Sequence, residues 1–329
     1  MTHRDPLDAS PRAFDVLAMG RSSIDLYAHE IGRPITDVRS FDAYVGGCPT
    51  NVSVGTRRLG LRSVLLTAVG DDQVGEFVTA FLDREQVDTR FIPKKVGRRT
   101  SAVVLTIQQP DKFPLTFYRD NCADRALTID DVARAPVADS RVVFLTGTGL
   151  SHEPARAATF AAAASARDAG VPVVVDIDYR ADQWDGPAAF AAQMQALLGS
   201  ATIAVGTEEE LAAASATSDT AAGAGAIFES GVQALVLKRG ARGSTVFRPD
   251  RAPADVTPFP VEVLNVLGAG DAFASGFLYG FLQGWTLERA ARMGNACGAI
   301  VVTRHGCANF MPTLDEVAAF VAERGEAAI

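Results

Sequence analysis

The residues best suited to chemistry lie near the C-terminal end, where Gly268-Ala269-Gly270-Asp271 runs straight into Ala272-Phe273-Ala274-Ser275-Gly276-Phe277. Two glycines allow a sharp turn and leave no Cβ between the backbone and a ligand. The small, apolar run after them can start a helix, whose first-turn N–H groups and positive end suit phosphate oxygens. A carboxylate there competes with the anion. It is more useful as an acceptor for the proton of a hydroxyl that attacks a phosphoryl group. The same four residues also make an ordinary loop and N-cap, and the tetrapeptide alone does not choose between the two.

Such a loop needs a scaffold to aim it. Near-continuous apolar, β-branched runs at 14–20, 63–69, 142–146, 171–176, 201–205 and 234–238 read as strands buried on both faces. Ala-rich helical stretches at 75–85, 153–169, 188–198, 208–214 and 223–230 alternate with them. The alternation predicts an α/β fold, a doubly wound and mainly parallel sheet flanked by helices. Two stretches, 25–45 and 100–118, break it and read as antiparallel strands. They predict a small β-sheet lid over the C-terminal strand ends, where such folds bind ligands. Without linker or repeat, residues 14–322 read as one domain with this lid, preceded by a polar tail over 1–13. An exposed lid edge could pair with a second copy in a homodimer, although the sequence does not fix the oligomeric state.

Composition narrows the classes. The 329 residues carry a net charge of −8, which disfavours nucleic-acid and anionic-membrane partners. An anionic substrate then requires a local basic pocket. Cys48, Cys122, Cys297 and Cys307 are scattered, as in a reducing compartment. The N-terminal residues have no apolar signal core, and no apolar run reaches membrane-spanning length, so a cytoplasmic protein is expected. The dipeptide Gly-Lys never occurs, which excludes a P-loop. Neither an early G-x-G-x-x-G, nor zinc-ligand spacing, nor a G-x-S-x-G elbow is present. His3, His29, His152 and His305 have no partner at ligand spacing.

A second glycine segment, Gly46-Gly47-Cys48-Pro49-Thr50-Asn51-Val52-Ser53 with Leu59-Gly60 behind it, accompanies the Gly268–Asp271 loop at the other end of the chain. Together the two segments resemble the signatures of the ribokinase/PfkB sugar kinases, and the resemblance extends over residues 14–322. The segments 117–124, 176–180 and 205–210, with Asn265-Val266-Leu267 and Met311-Pro312-Thr313, resemble one branch of that family. The branch phosphorylates a keto-deoxy sugar acid of inositol catabolism. The family more often has Asp-Thr-x where this chain has Asn265-Val266-Leu267, and the lost carboxylate puts the usual monovalent-cation site in question. A related kinase of 2-keto-3-deoxygluconate or fructose, and a non-catalytic sugar-binding regulator on the same fold, are the competing readings.

The resemblance implies ATP and Mg2+ as co-substrate and cofactor, and a role for each matching residue. Asp271 is the general base, and the N–H groups of Gly268, Ala269 and Gly270 form the anion hole. Asp25 accepts sugar hydroxyls, or is a turn aspartate. Gly46, Gly47 and Asn51 contact the sugar, or are a loop and cap. Arg119 forks onto a substrate carboxylate as a lysine cannot, or pairs with Asp120 or Asp124 at the lid edge. Arg180 sits near the phosphates, or in a structural ion pair. Thr207, Lys238, Gly240 and Gly243 resemble the nucleotide side, where the glycine pattern is also a hairpin signal. Asn295 resembles an adenine contact, or is polar helix surface. Glu210, in Thr207-x-x-Glu210, organises magnesium through water.

Overall fold

Alternation along a single strand explains the layering. In β1 (Phe14–Met19), Val16 and Ala18 enter one buried apolar cluster while Leu17 and Met19 enter another. Successive strand side chains point to opposite faces, so this sheet is covered on both. The computed structural model describes residues 12–108 and 112–325; all but the end of the expected polar tail lies outside them.

From β1 the chain makes β2 (Ser23–Ala28), β3 (Phe41–Gly46) and helix α1 (Cys48–Arg58). Next come β4 (Ser63–Leu66), β5 (Val69–Gly70), α2 (Gln73–Arg84) and β6 (Lys94–Lys95). β7 (Ser101–Leu105) and β8 (Leu115–Tyr118) precede α3 (Ile129–Arg134), β9 (Ser140–Thr146) and α4 (Ala155–Asp168). Then follow β10 (Val173–Asp176), α5 (Pro187–Leu198), β11 (Ile203–Thr207), α6 (Glu208–Ser215) and α7 (Thr220–Glu229). The C-terminal part holds β12 (Ala234–Lys238), β13 (Ser244–Arg248), β14 (Arg251–Val256), α8 (Ala269–Leu282), α9 (Leu287–Val301) and α10 (Leu314–Ala322).

Eight strands form the main sheet in the order β14-β13-β12-β11-β10-β9-β1-β4. The six from β12 to β4 are parallel, and β13 and β14 extend the sheet antiparallel. Register matters for the site: Asp176 lies opposite Thr146 and Val205, and Thr207 opposite Lys238, all at the C-terminal strand ends. A second sheet, β3-β2-β7-β8, supplies the lid. Its halves β2–β3 and β7–β8 are antiparallel hairpin-like pairs, but β2 and β7 pair in parallel. The long crossover through α1, β4 and α2 permits that, where a short turn would not. Asp25 therefore sits within β2 of the lid and not in a turn after the first strand.

Candidate active site

The glycine loop is built as its sequence suggests. Gly268 caps α8 in the left-handed region at φ +82°, and a Cβ there would meet the Cys307 sulfur at 2.8 Å. Only glycine fits both constraints. The Ala269 N–H does not serve the expected anion hole, because it closes the turn onto the Val266 carbonyl at 3.2 Å. The N–H groups of Gly268, Gly270 and, beyond expectation, Asp271 have no acceptor among the described residues. These are the orphan donors of a helix start.

Asp271 lies in the first turn of α8. Its Oδ2 accepts a 2.6 Å hydrogen bond from Asn51 Nδ2, and the Cys48 thiol bonds to the same carboxylate. Both donors come from the start of α1. Burial pushes the Asp271 carboxyl above its ordinary value; the Cys48 and Asn51 hydrogen bonds pull the other way without cancelling it. Asn51, expected to touch sugar, thus holds the Asp271 carboxylate, and its buried Oδ1 has no partner.

Two cavities meet at Asp271. The larger, about 790 Å³, is lined by Thr207, Glu210, Lys238, Gly240, Gly243 and Asn295, which brings the sequence-derived nucleotide residues together. Lys238 Nζ stands 2.9 Å from Asp176 Oδ2, 3.9 Å from Glu210 Oε2, and 3.2 Å from where a Cβ on Gly270 would lie. A buried ammonium therefore sits directly beneath the glycine loop. Burial opposes its charge, but Asp176 and Glu210 outweigh that and raise its pKa, so the lysine stays protonated. Thr207 and Glu210 form a capping box for α6, which spends Glu210 Oε2 on the Thr207 N–H at 2.7 Å. Asn295 donates to the Val256 and Thr257 carbonyls, tying α9 to the end of β14 and leaving its oxygen for a ligand. Among the described residues no group of three or more His, Cys, Asp or Glu is placed to hold a metal by itself.

The smaller cavity, about 70 Å³, lies between the main sheet and the lid and includes Asp25, Gly47, Asn51 and Arg180. Gly46 is required beside Asp25, since a Cβ there would fall 1.8 Å from its Oδ2. Ser23 donates to Asp25 Oδ1 at 2.6 Å, and burial raises the Asp25 carboxyl against the nearby Arg21 charge. Arg180 lines both cavities, with Nε 2.9 Å from Asp178 Oδ1. The Asp178 carboxylate raises its pKa further, which keeps it cationic.

Arg119 is a correction. All five of its N–H groups are spent inside the protein, on Asp124 Oδ2 at 2.6 and 2.8 Å, on the Thr148 carbonyl and on Gln183 Oε1. No donor remains to fork onto a substrate. The residues that the sequence left unremarked are Arg21, Gln183 and Thr148, which do line the smaller cavity. Arg21 carries a readable signal, a cation directly after the first strand; Gln183 lies in a 3-10 turn with no local mark.

A doubly wound sheet with a β-lid, and two cavities lined by one shared carboxylate beside free helix-start donors, fit a phosphotransferase that moves a phosphoryl group from a nucleotide to a small polyol. The chain belongs to the pfkB family of carbohydrate kinases, whose model matches residues 13–314, and is an ATP-dependent sugar kinase. It is 35% identical, over 95% of its length and 97% of the relative's, to a 5-dehydro-2-deoxygluconokinase of Shouchella clausii. A fructokinase from Vibrio cholerae, in a form with fructose, ADP and potassium ion bound, superposes with a TM-score of 0.84 at 28% identity. That match covers 95% of this chain and 99% of the other. A putative ribokinase II from E. coli in complex with ATP and Mg2+ shares the fold, with a TM-score of 0.87 at 24% identity, over 94% and 99% of the two chains.

Proposed function

We propose that this enzyme transfers the γ-phosphoryl group of ATP to the terminal primary hydroxyl of 5-dehydro-2-deoxy-D-gluconate, a step of inositol catabolism in the cytoplasm. The observation that carries the reading is Asp271, which lines both the nucleotide and the sugar cavity beside the free helix-start donors. The near-full-length likeness to a kinase of that name supports the choice of sugar.

Asp271 accepts the proton of the attacking hydroxyl, and its raised pKa makes it a better base than an exposed aspartate. Asn51 and Cys48 fix the carboxylate, so little ordering remains to be done when the sugar arrives. The N–H groups of Gly268, Gly270 and Asp271 face the charge that grows on the transferring phosphoryl group. Lys238 and Arg180 add positive charge on either side of that loop. Glu210 and Asp176 are the oxygen donors suited to hold Mg2+ through water, as that ion prefers. Held there, the ion would supply positive charge against the phosphates.

The test is ADP release with ATP and Mg2+ against a panel of 5-dehydro-2-deoxygluconate, 2-keto-3-deoxygluconate, fructose and glucose. The expected result is the highest kcat/KM on the first. A neutral hexose turned over best would overturn the choice of substrate.

A further inference from the structure

The smaller cavity is lined by the carboxylates of Asp25, Asp178 and Asp271 and by the guanidinium groups of Arg21 and Arg180. An anionic sugar entering it needs a cation that is not already committed. Arg180 is bonded to Asp178 and lines the nucleotide cavity as well. Arg21 lines the sugar cavity alone. Its side chain makes one hydrogen bond, from Nη1 to Ser23 Oγ at 2.7 Å, and no ion pair within 4.0 Å among the described residues. The Phe117 ring, from lid strand β8, lies 5.3 Å from its guanidinium carbon and steadies it by a cation–π contact.

Gln183 provides an independent observation. The residue is 9% exposed and lines the same cavity. Its Oε1 accepts from Arg119 Nη1 at 2.5 Å. A guanidinium has donors only, so the amide oxygen must face Arg119 and the amide nitrogen must face away. That Nε2 is buried and has no partner. An unpaired buried donor is costly, and a ligand oxygen relieves it.

The position of the reacting hydroxyl fixes the rest. It must reach Asp271, where the cavities meet, so the far end of a six-carbon chain lies in the part that the nucleotide cavity does not share. Arg21, Gln183 and Phe117 line that part. We propose that Arg21 and Gln183 bind the carboxylate end of the sugar acid. Arg21 takes its charge, and Gln183 Nε2–H donates to one of its oxygens. Arg119 is a positioning residue, acting through the Gln183 amide. The assignment rests on the sugar-acid reading above and names the residues that create it.

Two variants test it. Arg21→Met removes the cation and keeps the length of the side chain. Gln183→Glu keeps an acceptor for Arg119 while replacing the donor with a carboxylate oxygen. The measurement is kcat/KM for 5-dehydro-2-deoxygluconate and for its neutral C1 amide, at saturating ATP. In each variant KM for the acid is expected to rise about 10- to 100-fold, the range for losing a charged hydrogen bond, with KM for ATP unchanged. The acid-to-amide ratio falls accordingly, furthest in Gln183→Glu. Arg119→Lys still pairs with Asp124 but cannot also hold the Gln183 oxygen, and it lowers the same ratio while kcat on the amide persists. A wild-type enzyme that prefers the acid, with a ratio unmoved in both principal variants, overturns the assignment and leaves the substrate reading intact. A wild-type enzyme that prefers the amide overturns both. If Arg21→Met does not fold, Gln183→Glu decides.

Discussion

As the proposed base, Asp271 has to meet opposed requirements: a base must be ionised, yet this one is held where burial disfavours charge. Because its pKa is raised by burial, activity should be lost as pH falls through a value above that of an ordinary aspartate. The acid limb of kcat/KM against pH measures it. The same shift has a stability consequence of definite sign. A carboxyl whose folded pKa exceeds its unfolded one costs stability once pH is above both, and costs nothing below both. Asp271→Asn removes that cost and keeps an acceptor for the Asn51 amide. It is expected to abolish turnover, leave ATP binding intact and melt at or above the wild-type temperature at pH 7, with the gain vanishing at acid pH. Measurable turnover in that variant would remove Asp271 from the role of base. The place of Asp271, in the first turn of a helix behind a glycine turn, was legible from its glycine context. The misreading of Arg119 has an equally physical source. Spacing shows that Asp124 follows five residues later, but not that it folds back, with Gln183 arriving from sixty-four residues away, to consume the whole guanidinium.

At the scale of elements, strand runs and their order were readable because a sheet buried on both faces leaves few polar interruptions in its strands. Expected and observed strands differ mainly at their ends, as for 63–69, which stops at Leu66. The hairpin signal at Gly240 and Gly243 is the turn from β12 into the antiparallel β13, but β14, Arg-Ala-Pro-Ala-Asp-Val, escaped notice because it is mostly exposed at the sheet edge and has no apolar run. The segment before the glycine loop shows how a substitution is absorbed by neighbouring loops. Asn265 donates Nδ2–H to the His305 carbonyl at 3.0 Å, and its Oδ1 accepts the Leu267 N–H at 3.0 Å. One buried amide thus joins the loop entering α8 to the loop leaving α9, using a donor that an ionised aspartate lacks. With that carbonyl satisfied internally and an amide at 265 in place of the family's carboxylate, a monovalent cation has less to neutralise here. Initial rates are therefore expected to agree within about twofold in potassium, sodium and choline chloride at equal ionic strength, ordinary screening being the same in all three. A strong requirement for potassium would show that the amide does not replace an ion.

For the whole molecule, the β-lid is the element placed to keep water from the sugar cavity, and so to govern whether ATP is spent on sugar or on water. Val103 and Leu105 of β7 and Leu115 and Phe117 of β8 form an apolar wall over the sugar cavity, facing the charged groups of the main domain. A wall of this kind strengthens every charge interaction beneath it and keeps water from the phosphoryl group. Phe117 contributes most per residue, since its ring both covers the cavity and lies against Arg21. Truncation to alanine should cost little in folding, because Phe117 is only half-buried and belongs to a strand at the lid's edge. Its cost should appear in coupling. In the wild-type enzyme, ADP released and sugar phosphate formed are expected in a ratio of one. In Phe117→Ala water gains access and the ratio rises above one, with the largest excess at low sugar concentration, where the site is most often open. Simultaneous assay of ADP and sugar phosphate reads the ratio directly. A value that stays at one, together with an unchanged KM for the sugar, would mean that the strands over the cavity cover it without excluding water, and that coupling is set by Asp271 and its donors alone.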